Sequence, residues 1–127
     1  MKPRVFFVQK SFRRIGADWE LTVDPTPAKA YGEIKYLLDH ADVDDLSLRE
    51  VFAKIVEGLK DFSRDDYLVL VGNATAIMMA GIIASDLTEG CIKILHWERT
   101  TTKYVEFTLD LDVLLPHIPS GVPPDGE

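Results

Sequence analysis

Apolar residues along this chain gather in short runs, separated by charged and turn-forming residues. The clearest succession spans residues 65–95. Tyr67, Leu68, Val69, Leu70 and Val71 form a run of strand formers, and Gly72-Asn73 breaks it. Ala74–Leu87 follows as a helix-length segment with a nearly unbroken apolar surface. Glu89-Gly90 closes it, and residues 91–95 open another strand. Strand, turn, helix, turn and strand in that order predict a β-α-β unit with parallel strands buried on both faces. The fold class that follows is α/β: a small three-layer Rossmann-like domain with a mainly parallel sheet. Two or three parallel strands surround residues 67–71, helices flank them, and an antiparallel C-terminal hairpin strand lies at one edge.

Arg4–Gln9, rich in Val and Phe, reads as the first strand and a central one, and residues 10–16 read as loop. Trp19, Leu21 and Val23 alternate weakly over 18–24, as in a short edge strand or an extended segment. Thr26-Pro27 predicts a helix start, with Thr as N-cap and Pro at the first helical position. Beyond it, Ala30, Ile34, Leu37 and Leu38 suit a helix, whereas Ile34, Tyr36 and Leu38 suit a strand. Gly32 argues against one long helix, which favours a short helix at 27–31 and a strand at 33–38. Residues 40–45 form an acidic linker.

Residues 48–62 carry the most regular amphipathic pattern. Ser47 and Glu50 make a capping box. Leu48, Val51, Phe52, Ile55, Val56, Leu59 and Phe62 share one face at the helical period, opposite Arg49, Lys54, Glu57 and Lys60. The second helix differs, because Ala76, Ala80 and Ala84 recur every fourth residue beside Gly81. Two arrangements suit that pattern. The small stripe packs on the sheet while the Ile and Met positions meet a neighbouring element, or Met78, Met79, Ile82 and Ile83 form an exposed patch for another subunit. Residues 91–99 and 103–109 read as an antiparallel pair joined by Thr100-Thr101-Thr102. In the last twelve residues, four prolines and two glycines leave an extended or disordered tail over 115–127, after a single domain at 1–114.

The chain has 127 residues and a net charge of −7. That balance suits a basic partner surface or simple solubility, and it argues against duplex nucleic acid as a partner. Cys91 is the single cysteine, so an internal disulfide is excluded and a reducing interior fits. His40, His96 and His117 lie far apart without supporting ligands, so no metal site and no cofactor are expected. Residues 67–85 carry no charge, but Gly72-Asn73 divides them into a strand-like and a helix-like piece, which argues against a membrane span.

Chemistry in an open parallel sheet belongs beyond the C-terminal strand ends. Lys10 and Ser11 arrive there after the first strand, Gly72, Asn73 and Thr75 after the central one, and Arg99 after the fourth. Gly72 gives backbone access, Asn73 is a good N-cap, and the first helical turn offers N–H groups to an anion that Lys10 and Arg99 would balance. Ordinary turn-and-cap chemistry explains the same residues, and neither GxGxxG nor a P-loop is present. Trp97 has the makings of a stacking platform or of a core-closing aromatic, and His96 and Glu98 share a strand face. No catalytic residues are assigned.

Several of these residues carry a resemblance. Asp66-Tyr67-Leu68, Gly72-Asn73, the Ala- and Ile-rich stretch 76–84, Gly90, the run Lys93-Ile94-Leu95-His96-Trp97-Glu98-Arg99 and Tyr104 form a pattern. It resembles that of small proteins encoded by tailed bacteriophages, and Gly32-Glu33-Ile34 is similar to their second strand. The likeness covers most of 32–110. It implies phage origin and work in the cytoplasm of an infected bacterial cell or on a virion, and it implies no particular activity.

The expected function is therefore that of a small phage accessory protein. It acts without catalysis by binding a host or phage protein, in host takeover or counter-defence, with a homodimer through Met78, Met79, Ile82 and Ile83 as one form. The alternatives are a nucleotide or cyclic-oligonucleotide binder or hydrolase, sited at Lys10, Ser11, Gly72, Asn73, Thr75 and Arg99, and a virion structural component.

Overall fold

The computed structural model describes residues 2–114, and the tail expected at 115–127 lies outside them. Strands β1 (Arg4–Gln9), β4 (Glu33–Leu38), β5 (Tyr67–Val69), β6 (Cys91–Glu98) and β7 (Lys103–Asp110) form one sheet in the order β4-β1-β5-β6-β7. The first four in that order run parallel, one or two more than the sequence suggests, and β7 returns antiparallel to β6. Residues 67–95 are the expected β-α-β unit, since Tyr67 pairs with Lys93 and Leu68 with Ile94 on either side of helix α3 (Ala74–Leu87).

Alternation along β1 sends Phe6 and Val8 to one face and Val5 and Phe7 to the other. Helix α2 (Leu48–Leu59) and α3 cover the first face. Val51, Ile55 and Leu59 meet Leu68 there, and the Ala76–Ala80–Ala84 stripe turns inward. Small side chains let α3 lie close to its neighbours, so the stripe packs inward, while Met78 and Ile82 meet no neighbouring element among the described residues and stay exposed. The other face is covered by a short 3-10 helix (Thr26–Ala30) and the chain beside it: Ala28, Val23 and Tyr31 pack on Phe7, Tyr67, Leu95 and Tyr104.

Several local expectations need correction. Residues 10–16 are not all loop: β2 (Phe12–Ile15) pairs with β3 (Asp18–Leu21) as a separate antiparallel arm. Gly16, at φ +58°, permits the tight turn, and Arg13 reaches Glu20 at 2.7 Å while Arg14 lies over Trp19. Thr26 is not the N-cap. Pro25 takes that position, the Thr26 N–H is held by Asp24 Oδ1 at 2.9 Å, and the helix begins one residue earlier than expected. The acidic linker contains one helical turn, α1 (Asp42–Asp45), where Asp42 Oδ2 accepts the Asp39 N–H at 2.7 Å. β5 stops at Val69 because the Val71 N–H turns back to Val69 O and Gly72 adopts φ +116°. The helix expected to reach Phe62 ends at Leu59, though Phe62 is buried and its N–H donates to Leu59 O. Leu48, Phe52 and Val56 stay exposed, since only one stripe of α2 faces the sheet.

Candidate functional site

The strand order reverses direction between β1 and β5, so their connections leave for opposite faces of the sheet. In open α/β sheets such a switch point opens a ligand crevice. Here the buried side chain of Gln9 fills it. Gln9 Oε1 accepts the Asn73 N–H at 2.8 Å, and Nε2 donates to the carbonyls of Asp39 and His40 at 3.2 and 3.0 Å. Asn73 Oδ1 in turn accepts the N–H groups of Thr75 and Ala76, at 2.9 and 3.2 Å. Most N–H groups that an anion would need at the start of α3 are thus already bonded. Sequence reasoning missed Gln9. Its signal was a polar residue directly after the apolar run Val5–Val8.

The six residues singled out there separate. Ser11, Gly72 and Arg99 line one open cleft of about 390 Å³ together with Thr22, His96 and Trp97. Lys10 points elsewhere, its Nζ 5.0 Å from the centre of the Tyr36 ring. Asn73 and Thr75 are taken up by the helix cap. A second cleft of about 460 Å³ continues past Trp97 and Arg99 toward Arg13 and Asp24. Trp97 closes the end of the core, its ring tilted on Tyr104 at 4.9 Å. Glu98 accepts the Thr101 hydroxyl at 2.9 Å, which commits it to the hairpin turn rather than to His96. Among the described residues no group of three His, Cys, Asp or Glu side chains is placed to hold a metal ion.

A different surface gathers around α3. Met78 is 65 % and Ile82 60 % exposed, while Met79 and Ile83 are half-buried against the core. On one side of α3, Phe52, Val56, Ile83 and Leu87 line a groove of about 500 Å³ against α2. On the other, Leu70, Ile77, Ile94 and Leu109 line one of about 450 Å³ against the sheet. Ile82 borders both, so α3 stands as an apolar ridge between two apolar furrows. The second furrow has a topological cause. A helical crossover after β6 would lay another helix on that face, but a tight hairpin follows instead. The outer strand therefore keeps Val105 and Phe107 exposed on the side it shares with Ile94.

An ion pair with a buried carboxylate lies at the opposite end of the sheet. Asp66 is buried and accepts the Arg4 N–H at 2.9 Å, the Arg4 guanidinium at 3.0 Å and the Ser63 N–H at 2.9 Å. Burial alone would raise its pKa, but these donors outweigh burial and hold the carboxyl below its ordinary value. Burial also pushes the Tyr104 phenol up, and its hydroxyl donates to Asp24 O at 2.8 Å. Both groups serve structure: one pins the start of β1, the other the chain over the second face.

Comparison with known proteins adds one finding. A family model described as "Phage Pam3 gp32-like protein" matches residues 3–111. No curated protein and no solved structure matches the chain. Among the described residues no helix is long and apolar enough to cross a membrane.

Proposed function

The chain belongs to the phage Pam3 gp32-like family, and we propose that it is a phage accessory protein that binds another protein, without catalysis, in the cytoplasm of the infected bacterial cell. Host takeover or counter-defence is the setting this suits. One observation carries the proposal: Ile82 and Met78 stand exposed on a ridge flanked by two apolar furrows. A contiguous apolar surface of this kind on a small domain marks an interaction site. The furrows suit an apolar helix or strand, and the net charge of −7 favours a partner with a basic rim. The clefts near Arg99 offer less to a nucleotide, because most N–H groups that would bind its phosphates are capped from within.

Co-purification from phage-infected cells tests this, with Ile82→Glu and Arg99→Ala compared against the parent chain. A partner retained by the parent and by Arg99→Ala but lost by Ile82→Glu is expected. Loss with Arg99→Ala alone would move the site to the clefts. Nucleotide binding is checked by thermal shift, since a ligand at ~100 times its Kd stabilises by about 2.7 kcal/mol. No shift is expected with mono-, di- or cyclic oligonucleotides. Recovery of the protein in purified particles would point to a virion component instead.

A further inference from the structure

We propose that the outer edge of β7 pairs with β7 of a second copy, antiparallel, about a two-fold axis at Phe107. The proposal concerns a different surface from the α3 ridge and stands without it.

The backbone shows which groups are free. The Leu111 N–H donates to Gly90 O at 3.0 Å, and the register pairs Ile92 with Leu109 and Ile94 with Phe107. Hydrogen-bonded pairs alternate along an antiparallel ladder, so Leu109, Phe107 and Val105 exchange their bonds with β6. Glu106, Thr108 and Asp110 therefore aim their N–H and C=O groups outward. Tyr104 belongs to the same outward set, and its carbonyl does accept from Tyr31 Oη, at 3.4 Å. Among the described residues no strand pairs with this edge.

Several usual guards of an edge strand are missing, although Glu106 and Asp110 place charge along it. β7 contains no proline, its pairing from Cys91–Asp110 to Glu98–Lys103 runs without a bulge, and its one lysine, Lys103, sits at the far end. Among the central positions of the strand, 105 to 108, the side chains are best matched about Phe107. An axis at Phe107 opposes Phe107 to itself, an aromatic pair, and sets Val105 against Leu109 and Glu106 against Thr108 with no like charges facing. It places Tyr104 opposite Asp110 but needs no bond from the Tyr104 carbonyl, because Glu106 and Thr108 exchange theirs. An axis at Glu106 opposes two glutamates, and one at Thr108 sets Glu106 against Asp110. An axis at Val105 relies on Tyr104, whose carbonyl is already bonded, and leaves Asp110 unpaired. Pairing at Phe107 makes one continuous sheet across both copies. It also places the two bare β6–β7 faces side by side, flanked by both α3 ridges.

The test uses the full chain in three forms. Sedimentation of the parent chain at micromolar concentration is expected to give twice the chain mass. Thr108→Pro removes an outward N–H and leaves the β6 ladder intact, so it is expected to sediment as a monomer with an unchanged circular-dichroism spectrum. Register is read by disulfide formation in a Cys91→Ser background. Facing residues of a non-hydrogen-bonded pair come within disulfide reach. Phe107→Cys is expected to cross-link into a dimer under mild oxidation, and Val105→Cys is not. Should Thr108→Pro misfold, the cysteine pair alone decides. A monomeric parent chain, equal cross-linking at both positions, or a dimer dissolved by Ile82→Glu instead would overturn the proposal.

Discussion

The side-chain carbonyl of Gln9 accepts the backbone N–H of Asn73 at 2.8 Å, across the point where β1 and β5 send their connections to opposite faces. The bond ties the end of the central strand to the cap of α3, and it requires the chain to pass close by. Gly72 makes that passage at φ +116°, and a Cβ there would lie 2.4 Å from Gln9 Cβ. Gly72→Ala therefore meets both backbone strain and overlap with a buried side chain. It is expected to destabilise by about 3 kcal/mol in urea unfolding.

Thr102 holds φ +52° in the β6–β7 turn, although it is β-branched. Left-handed backbone at such a residue costs about 1–2 kcal/mol. Thr102→Gly is expected to relieve this and raise the melting temperature by about 4 °C. A lowered melting temperature would mean that the Thr102 hydroxyl, which donates to Thr101 O at 2.7 Å, matters more than the strain.

The Arg4–Asp66 pair makes stability depend on pH in a defined sense. Its carboxyl is held below the ordinary value in the folded state. The stabilisation is therefore complete above the unfolded-state pKa, about 3.9, and is lost as pH falls through the folded-state value. Asp66→Asn is expected to lose about 2 kcal/mol at pH 7. The gap to the parent chain should narrow below pH 4 in acid titration followed by circular dichroism.

Met78 and Ile82 on the α3 ridge are mostly exposed, so their loss should leave the fold unchanged. Ile82→Glu is expected to alter stability by less than about 0.5 kcal/mol and to reduce binding of an apolar dye. A loss of several kcal/mol would show that Ile82 belongs to the core.

Much of the fold was legible because burial leaves a periodic trace. Arg4–Gln9 and Ala74–Leu87 match their expected bounds, and the Ser47–Glu50 box and the Asn73 cap form as their side chains dictate. The β2–β3 arm left no such trace. Its residues are mostly exposed, and cross-strand pairs such as Arg13–Glu20, far apart in character from an apolar alternation, hold it. Helical period placed Phe52 and Val56 with Val51 and Ile55, but it could not say how wide a stripe the sheet would cover. The proposed ligand residues scattered for a related reason. Spacing identifies which segments reach one end of the sheet, whereas Gln9 and Asn73 show that such groups can be used up in joining those segments.

Binding through the α3 ridge is tested most directly by site-specific photo-cross-linking in infected cells, with a benzoylphenylalanine placed at residue 82, 107 or 99 in turn. A covalent adduct with another protein from residue 82, and none from residue 99, is the expected result. An adduct from residue 99 alone, or none from residue 82, would contradict it.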